Sequence, residues 1–148
     1  MRVRRIKVFL RFAIAFGFLS AVADRFGILP KDITVWGNWA SFIDYTQIIN
    51  PWIPNALISF VGAVATIAEV ILAICLIIGF KTELAARLSG YLMLMFALAM
   101  TFSIGIKAAF DYSVFTASAG AFALSLIKVK YFEIDRYISK RKVGNKLK

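Results

Sequence analysis

Four charged residues stand inside long apolar runs of this 148-residue chain: Arg11, Asp24, Arg25 and Glu69. Glu69 is the most demanding. Of the nineteen residues in GAVATIAEVILAICLIIGF, residues 62–80, only it and Thr66 are polar. Ten residues before Gly79 is roughly 15 Å at 1.5 Å per residue, which sets Glu69 near the middle of a spanning helix. An ionised carboxylate at that depth costs at least about 2.5–3.5 kcal/mol unless it is paired, hydrated or protonated. Three chemistries suit it: an orienting ion pair, a polar contact for the headgroup of a quinone or lipid, or a proton relay.

The spacing aims Glu69 inward. Gly62, Thr66, Glu69 and Ala73 follow at i, i+4, i+7 and i+11, a small and polar stripe of the kind that packs helix against helix in membranes. Arg11, four residues past Lys7 in the first apolar run, is the expected cation, so an Arg11–Glu69 pair is expected between neighbouring antiparallel helices. Asp24 and Arg25 fall at the other end of that first run. Arg87 and Tyr91, four apart, share one face of the third run, with Arg87 long enough to reach the surface. Met93, Met95, Phe96 and Met100 read as packing and lipid contact, and Cys75 as an inert apolar residue.

These side chains need helices in hydrocarbon to hold them. The chain is 61% hydrophobic with mean hydropathy +0.79, well above the usual 45–50% or so of soluble domains. Four segments approach the roughly 20 residues needed to cross a bilayer, about 6–29, 55–80, 84–106 and 110–129, the last slightly short. The expected fold is one all-α membrane domain over residues 1–148, a four-transmembrane-helix bundle with an extracytoplasmic aromatic-rich loop between helices 1 and 2. Trp36, Trp39 and Trp52 lie in that loop, and NWASFIDYTQIIN before Pro51 reads as a short helix at the membrane interface. The loop is either an aromatic anchor or a lid over a pocket.

The net charge of +10 follows membrane topology rather than nucleic acid. Fourteen Lys/Arg fall at the N-terminus, in the FKTELAAR turn and in the basic stretch from Lys128 onward, against three on the other side. That asymmetry places both termini in the cytoplasm. The tail, 130–148, is expected along anionic headgroups. MRVRRIK, an apolar run and SAVA resemble a cleavable leader, but Arg11 within the run argues for a retained span. There is no His and one Cys. His-based metal sites, haem ligation through His, a CxxC redox pair and His general-base catalysis are therefore excluded, and no catalytic residue or metal cluster is expected.

The stretch AEVILAICLIIGFKTELAARLSGYLMLMFALAM, residues 68–100, resembles the DoxX family of small bacterial membrane proteins. Arg11, then FGFLSAVADRFG in the first run, and KYFEID after the last run resemble it too. The resemblance covers about residues 6–138, with KVK where the family has a Gly-rich turn and Arg25 where a Lys is common. It implies a four-helix bundle in the bacterial inner membrane. It also implies an accessory or quinone-binding subunit of a membrane redox complex, working with redox partner proteins rather than as an enzyme by itself. From the residues alone, a non-catalytic scaffold or lipid-binding module stays open, and behind it a small proton or solute carrier.

Overall fold

The structure is a computed structural model that describes residues 2–135. Six helices follow in order: α1 (Arg2–Arg25), α2 (Trp39–Ile49), α3 (Asn55–Ile78), α4 (Thr82–Ser103), α5 (Ile106–Asp111) and α6 (Val114–Leu126). The described residues contain no strand. Helices α1, α3 and α4 have 24, 24 and 22 residues and are long and apolar enough to cross a membrane. The stretch expected as a fourth span is shorter. A turn with Ser113 in the left-handed region (φ +55°) divides it, leaving 13 residues in α6, about 20 Å at 1.5 Å per residue against a core of about 30 Å.

The stripe on α3 packs inward, with Gly62, Thr66, Glu69 and Ala73 all buried, while Ile67, Ile71, Ile74 and Ile78 are exposed. Such an apolar exterior suits helices that meet lipid rather than water. Two seams hold the bundle. At the first, α1 runs antiparallel to α3. At the second, α4 lies against α6, where the Phe122 ring sits so close to Gly90 that a Cβ there would be 2.8 Å from it, and Ser118 donates to the Gly90 carbonyl at 2.8 Å. Ile14, Phe18, Leu72, Leu76, Leu92, Met93 and Leu124 fill the space between the seams. Helices α1 and α6 pack only lightly against each other.

Helix α2 starts where Asn38 accepts the Ser41 N–H at 2.9 Å, as an N-cap side chain should. It lies across the end of the bundle opposite the N-terminus, here called the loop end. Its Phe42 and Ile43 rest on Gly62, where a Cβ would come within 2.6 Å of Ile43 Cδ1 and 3.1 Å of Phe42 Cε1. Overfilling a packed seam costs about 1–3 kcal/mol. Gly62→Ala is therefore expected to lower thermal stability by that order and to raise protease cleavage of 39–49, the signature of α2 lifting away; an unchanged cleavage rate would contradict this docking.

The opposite end, here the basic end, is closed by the chain after α6. Residues 127–135 turn back beneath α1 and α3. Asp135 Oδ1 and Oδ2 accept the Lys81 and Thr82 N–H groups at 2.9 and 3.1 Å, and the Asp135 N–H donates to the Gly79 carbonyl at 3.2 Å. Asp135 thus caps the first turn of α4, where orphan N–H groups favour a carboxylate. The expectation that the tail follows lipid headgroups applies mainly to residues 136–148, which lie outside the described residues.

Candidate functional site

Arg25, not Arg11, answers Glu69. Arg25 Nη2 donates to Glu69 Oε1 at 2.9 Å and Nη1 donates to Oε2, a two-pronged pair; Nη1 also donates to Thr66 Oγ1 at 2.8 Å. Arg25 is 3% exposed and Glu69 2%. The Arg25 guanidinium carbon lies 4.1 Å from the Phe42 ring centroid and 5.5 Å from that of Trp36, contacts that favour a cation held away from water.

The expected Arg11–Glu69 pair fails for a directional reason. Side chains on a helix lean toward its N-terminus. On α1 that is toward the basic end, so Arg11 leans away from Glu69, while Arg25, starting from the loop end, leans back toward the bundle's middle. On α3 the N-terminus is at the loop end, so Glu69 leans up to meet Arg25. The sign of this tilt was available from the helix directions and was the missed signal.

Arg11 instead serves the basic end. Its Nε donates to the Leu76 carbonyl at 2.8 Å and its Nη2 to that of Ile77 at 2.9 Å. Its Nη1 donates to the carbonyls of Phe132 (2.6 Å) and Tyr131 (3.2 Å). Lys7 Nζ lies 2.7 Å from Glu133 Oε1 and donates to the Val129 carbonyl at 3.0 Å. The KYFEID segment singled out above thus supplies Glu133 for this clamp and Asp135 for the cap on α4.

Asp24 is spent on the loop. Its Oδ2 accepts the N–H of Val35 (2.9 Å) and Trp36 (3.2 Å), and its Oδ1 that of Gly37 (2.9 Å). These bonds fold residues 35–37 over the end of α1 and set Trp36 beside Arg25. Trp39 stacks against Phe26, with ring centroids 5.7 Å apart, and Trp52 is exposed. Of the three tryptophans, Trp36 reaches the interior. Arg87 and Tyr91 do not; both are exposed on α4, with Tyr91 edge-on to Phe122.

Beside the ion pair lies a cavity of about 820 Å³ bounded by α1, α2, α3, α4 and α6. Its walls are mainly apolar, among them Leu10, Ile14, Phe18, Met93 and Met100, and its polar groups cluster at the loop end: Asp24, Arg25, Tyr45, Glu69 and Tyr112. Arg25 Nε and Trp36 Nε1 are buried there without a hydrogen-bond partner. Burial, reinforced by Tyr112, pushes the Tyr45 hydroxyl above its ordinary range, so it stays a neutral phenol. The result is a long greasy chamber with its polar side chains at one end and two unpartnered N–H groups packed just behind that wall. One cation stands between two carboxylates, so that end has no positive surplus to hold an anion.

No group of three or more potential metal ligands occurs among the described residues. Among the described residues, the fold is all-helical, with three helices long and apolar enough to cross a bilayer and a mainly apolar, partly open chamber between them. No family model, no curated protein and no solved structure matches the chain.

Proposed function

We propose that the chain is a DoxX-like inner-membrane protein that holds a quinone-class amphiphile and serves a membrane redox complex as an accessory, quinone-binding subunit. The observation that carries the reading is the pairing of the apolar chamber of about 820 Å³ with the unmatched donors Arg25 Nε and Trp36 Nε1. Ligand pockets are commonly about 300–1,000 Å³, mostly apolar, with a few convergent polar groups. A buried donor left unmade costs about 1–3 kcal/mol, so a ligand carbonyl toward which the Arg25 and Trp36 side chains turn these N–H groups relieves a standing penalty. The balanced charges favour a neutral acceptor head such as a quinone over a carboxylate or phosphate. The quinone brings the redox chemistry when bound; this chain, without His and with Cys75 alone, contributes binding, orientation and exclusion of water. α6 then serves as the fourth, short span, and the basic end faces the cytoplasm by the excess of Lys and Arg there.

Photoaffinity labelling with a quinone analogue tests the reading on the full chain in lipid nanodiscs. Labelling of chamber residues is expected, and Trp36→Phe, which keeps the ring and removes the N–H, is expected to weaken it several-fold, in line with about 1 kcal/mol for a lost hydrogen bond. Absence of labelling in the wild type, or labelling unmoved by Trp36→Phe, would reject it. The scaffold reading would then stand, favoured by the forked Arg25–Glu69 bond that ties α1 to α3 unaided.

A further inference from the structure

We infer that the chamber is loaded sideways, from the hydrocarbon layer, through a slit between α1 and α6 at Gly17 and Gly120. The inference rests on the ligand-binding reading above and adds the route by which a neutral-headed amphiphile arrives.

The bundle's glycines divide into two kinds. At the packed seams, a Cβ at Gly62 would come within 2.6 Å of Ile43, and one at Gly90 within 2.8 Å of Phe122. There glycine permits close approach. A Cβ on Gly17 of α1 or Gly120 of α6 would meet nothing within 4 Å, yet both residues line the chamber. These two glycines keep a gap open. Their neighbours agree: Ala13, Ser20, Thr116 and Ala117 line the chamber and are exposed. Exposed wall residues on both α1 and α6, the two helices that pack only lightly against each other, mark a mouth between them.

The basic end is shut and the loop end is partly covered. At the loop end, Asp24 holds residues 35–37 in place and Phe42, Thr46 and Ile49 of α2 are buried, while Ile33, Val35, Tyr112 and Ser113 line the chamber and are exposed, so the slit between α1 and α6 runs up to that end. At the basic end, Arg11 and Lys7 bind residues 129–133 across the opening. Gly17 lies six residues past Arg11, roughly 9 Å along the helix, so the slit sits at the depth of acyl chains. A molecule already dissolved in the bilayer reaches the buried, unpartnered Arg25 Nε without crossing water, its head turning toward the loop end and its tail trailing out between the helices.

The test is kinetic. With Trp39 and Trp52 replaced by Phe, Trp36 becomes the sole indole and reports contact with a quinone head by fluorescence quenching. The full chain in phosphatidylcholine nanodiscs is mixed with a long-tailed alkyl benzoquinone. Gly17→Leu and Gly120→Leu place side chains in the slit and are expected to slow quenching at least about tenfold, equal to a barrier raised by ~1.4 kcal/mol. Thermal stability should be kept or raised, since Leu suits a helix interior better than Gly. Gly17→Ala, which adds a single methyl group, should slow entry less than Leu. Quenching at the wild-type rate in both Leu variants would overturn the slit while leaving the ligand reading intact. No quenching before any glycine is changed would bring down both.

Discussion

Arg25→Gln is expected to be the most damaging single substitution in the chain, lowering stability by about 3–5 kcal/mol, because it leaves Glu69 buried without its cation. Gln cannot reproduce the fork: Glu69 would lose a charge-assisted bond to each oxygen, Thr66 would lose its donor, and the ring contacts with Phe42 and Trp36 would vanish. Glu69 cannot turn to water, being 2% exposed among packed helices. The double variant Arg25→Gln/Glu69→Gln should recover a large part of the loss, since two neutral amides can bond to each other. The informative quantity is the coupling. Contacting charged pairs show interaction energies of about 0.5–3 kcal/mol, whereas distant independent sites add to within about 0.3–0.5 kcal/mol. Thermal unfolding in detergent should therefore show Arg25 coupled to Glu69, and Arg11→Gln additive with Glu69→Gln. The reverse pattern, with Arg11 coupled and Arg25 additive, would refute the pairing.

The second large effect belongs to the clamp at the basic end. Arg11 is 1% exposed and donates to four carbonyls, two at the end of α3 and two in the returning chain. The last carbonyls of a helix have no intrahelical partner, so Arg11 satisfies α3 and fastens residues 131–132 with one planar group. Arg11→Gln reaches at most a fraction of these acceptors. A loss of about 2–4 kcal/mol is expected, from one to three unmet buried groups at about 1–3 kcal/mol each, partly relieved by entering water. Lys cannot replace Arg here, because its point charge lacks the fork that spans two chains. The readout that separates a clamp from general destabilisation is limited proteolysis: residues 127–135 should become cleavable at temperatures where α3 and α4 remain folded. Equal protection of that segment in wild type and variant would argue against the clamp.

Gly79 shows how tight that end is. It ends α3 with φ +71°, and a Cβ would lie 2.6 Å from Glu133 Cα and 2.8 Å from Arg11 Nη2. Both the left-handed turn and the crossing chain require glycine. The turn it makes before Lys81 was readable from the sequence as a break between two apolar runs. The chain pressed against it was not, because Glu133 is 54 residues away and nothing local announces the contact.

Much of the remaining fold was legible for one reason. Apolar runs of 22–24 residues satisfy their backbone groups as helices and have no good alternative in hydrocarbon, so α1, α3 and α4 stand where composition put them. Glu69's inward aim was legible too, since 3.6-residue periodicity fixes which face a residue occupies. Where periodicity weakens, so did the reading. In the stretch 110–129, Ser113 takes a left-handed turn and shortens the helix that follows; the polar Asp111-Tyr112-Ser113 interruption was the local signal, one that a count of apolar residues passes over.

The sequence by itself determined that an acid lies mid-helix, that it faces other helices, and that it must be paired, hydrated or protonated, with a cation from the first helix as the expected partner. Tertiary structure alone decided which cation, because α1 and α3 run in opposite directions and lean their side chains in opposite senses, bringing Arg25 and Glu69 together and sending Arg11 to the far end. It alone decided that Trp36, of three equivalent-looking tryptophans, turns inward, since Asp24 gathers three N–H groups of its loop. And it alone opened the chamber, for a cavity is the space left between helices, set by how α1 and α6 fail to close on each other rather than by any residue's own preference.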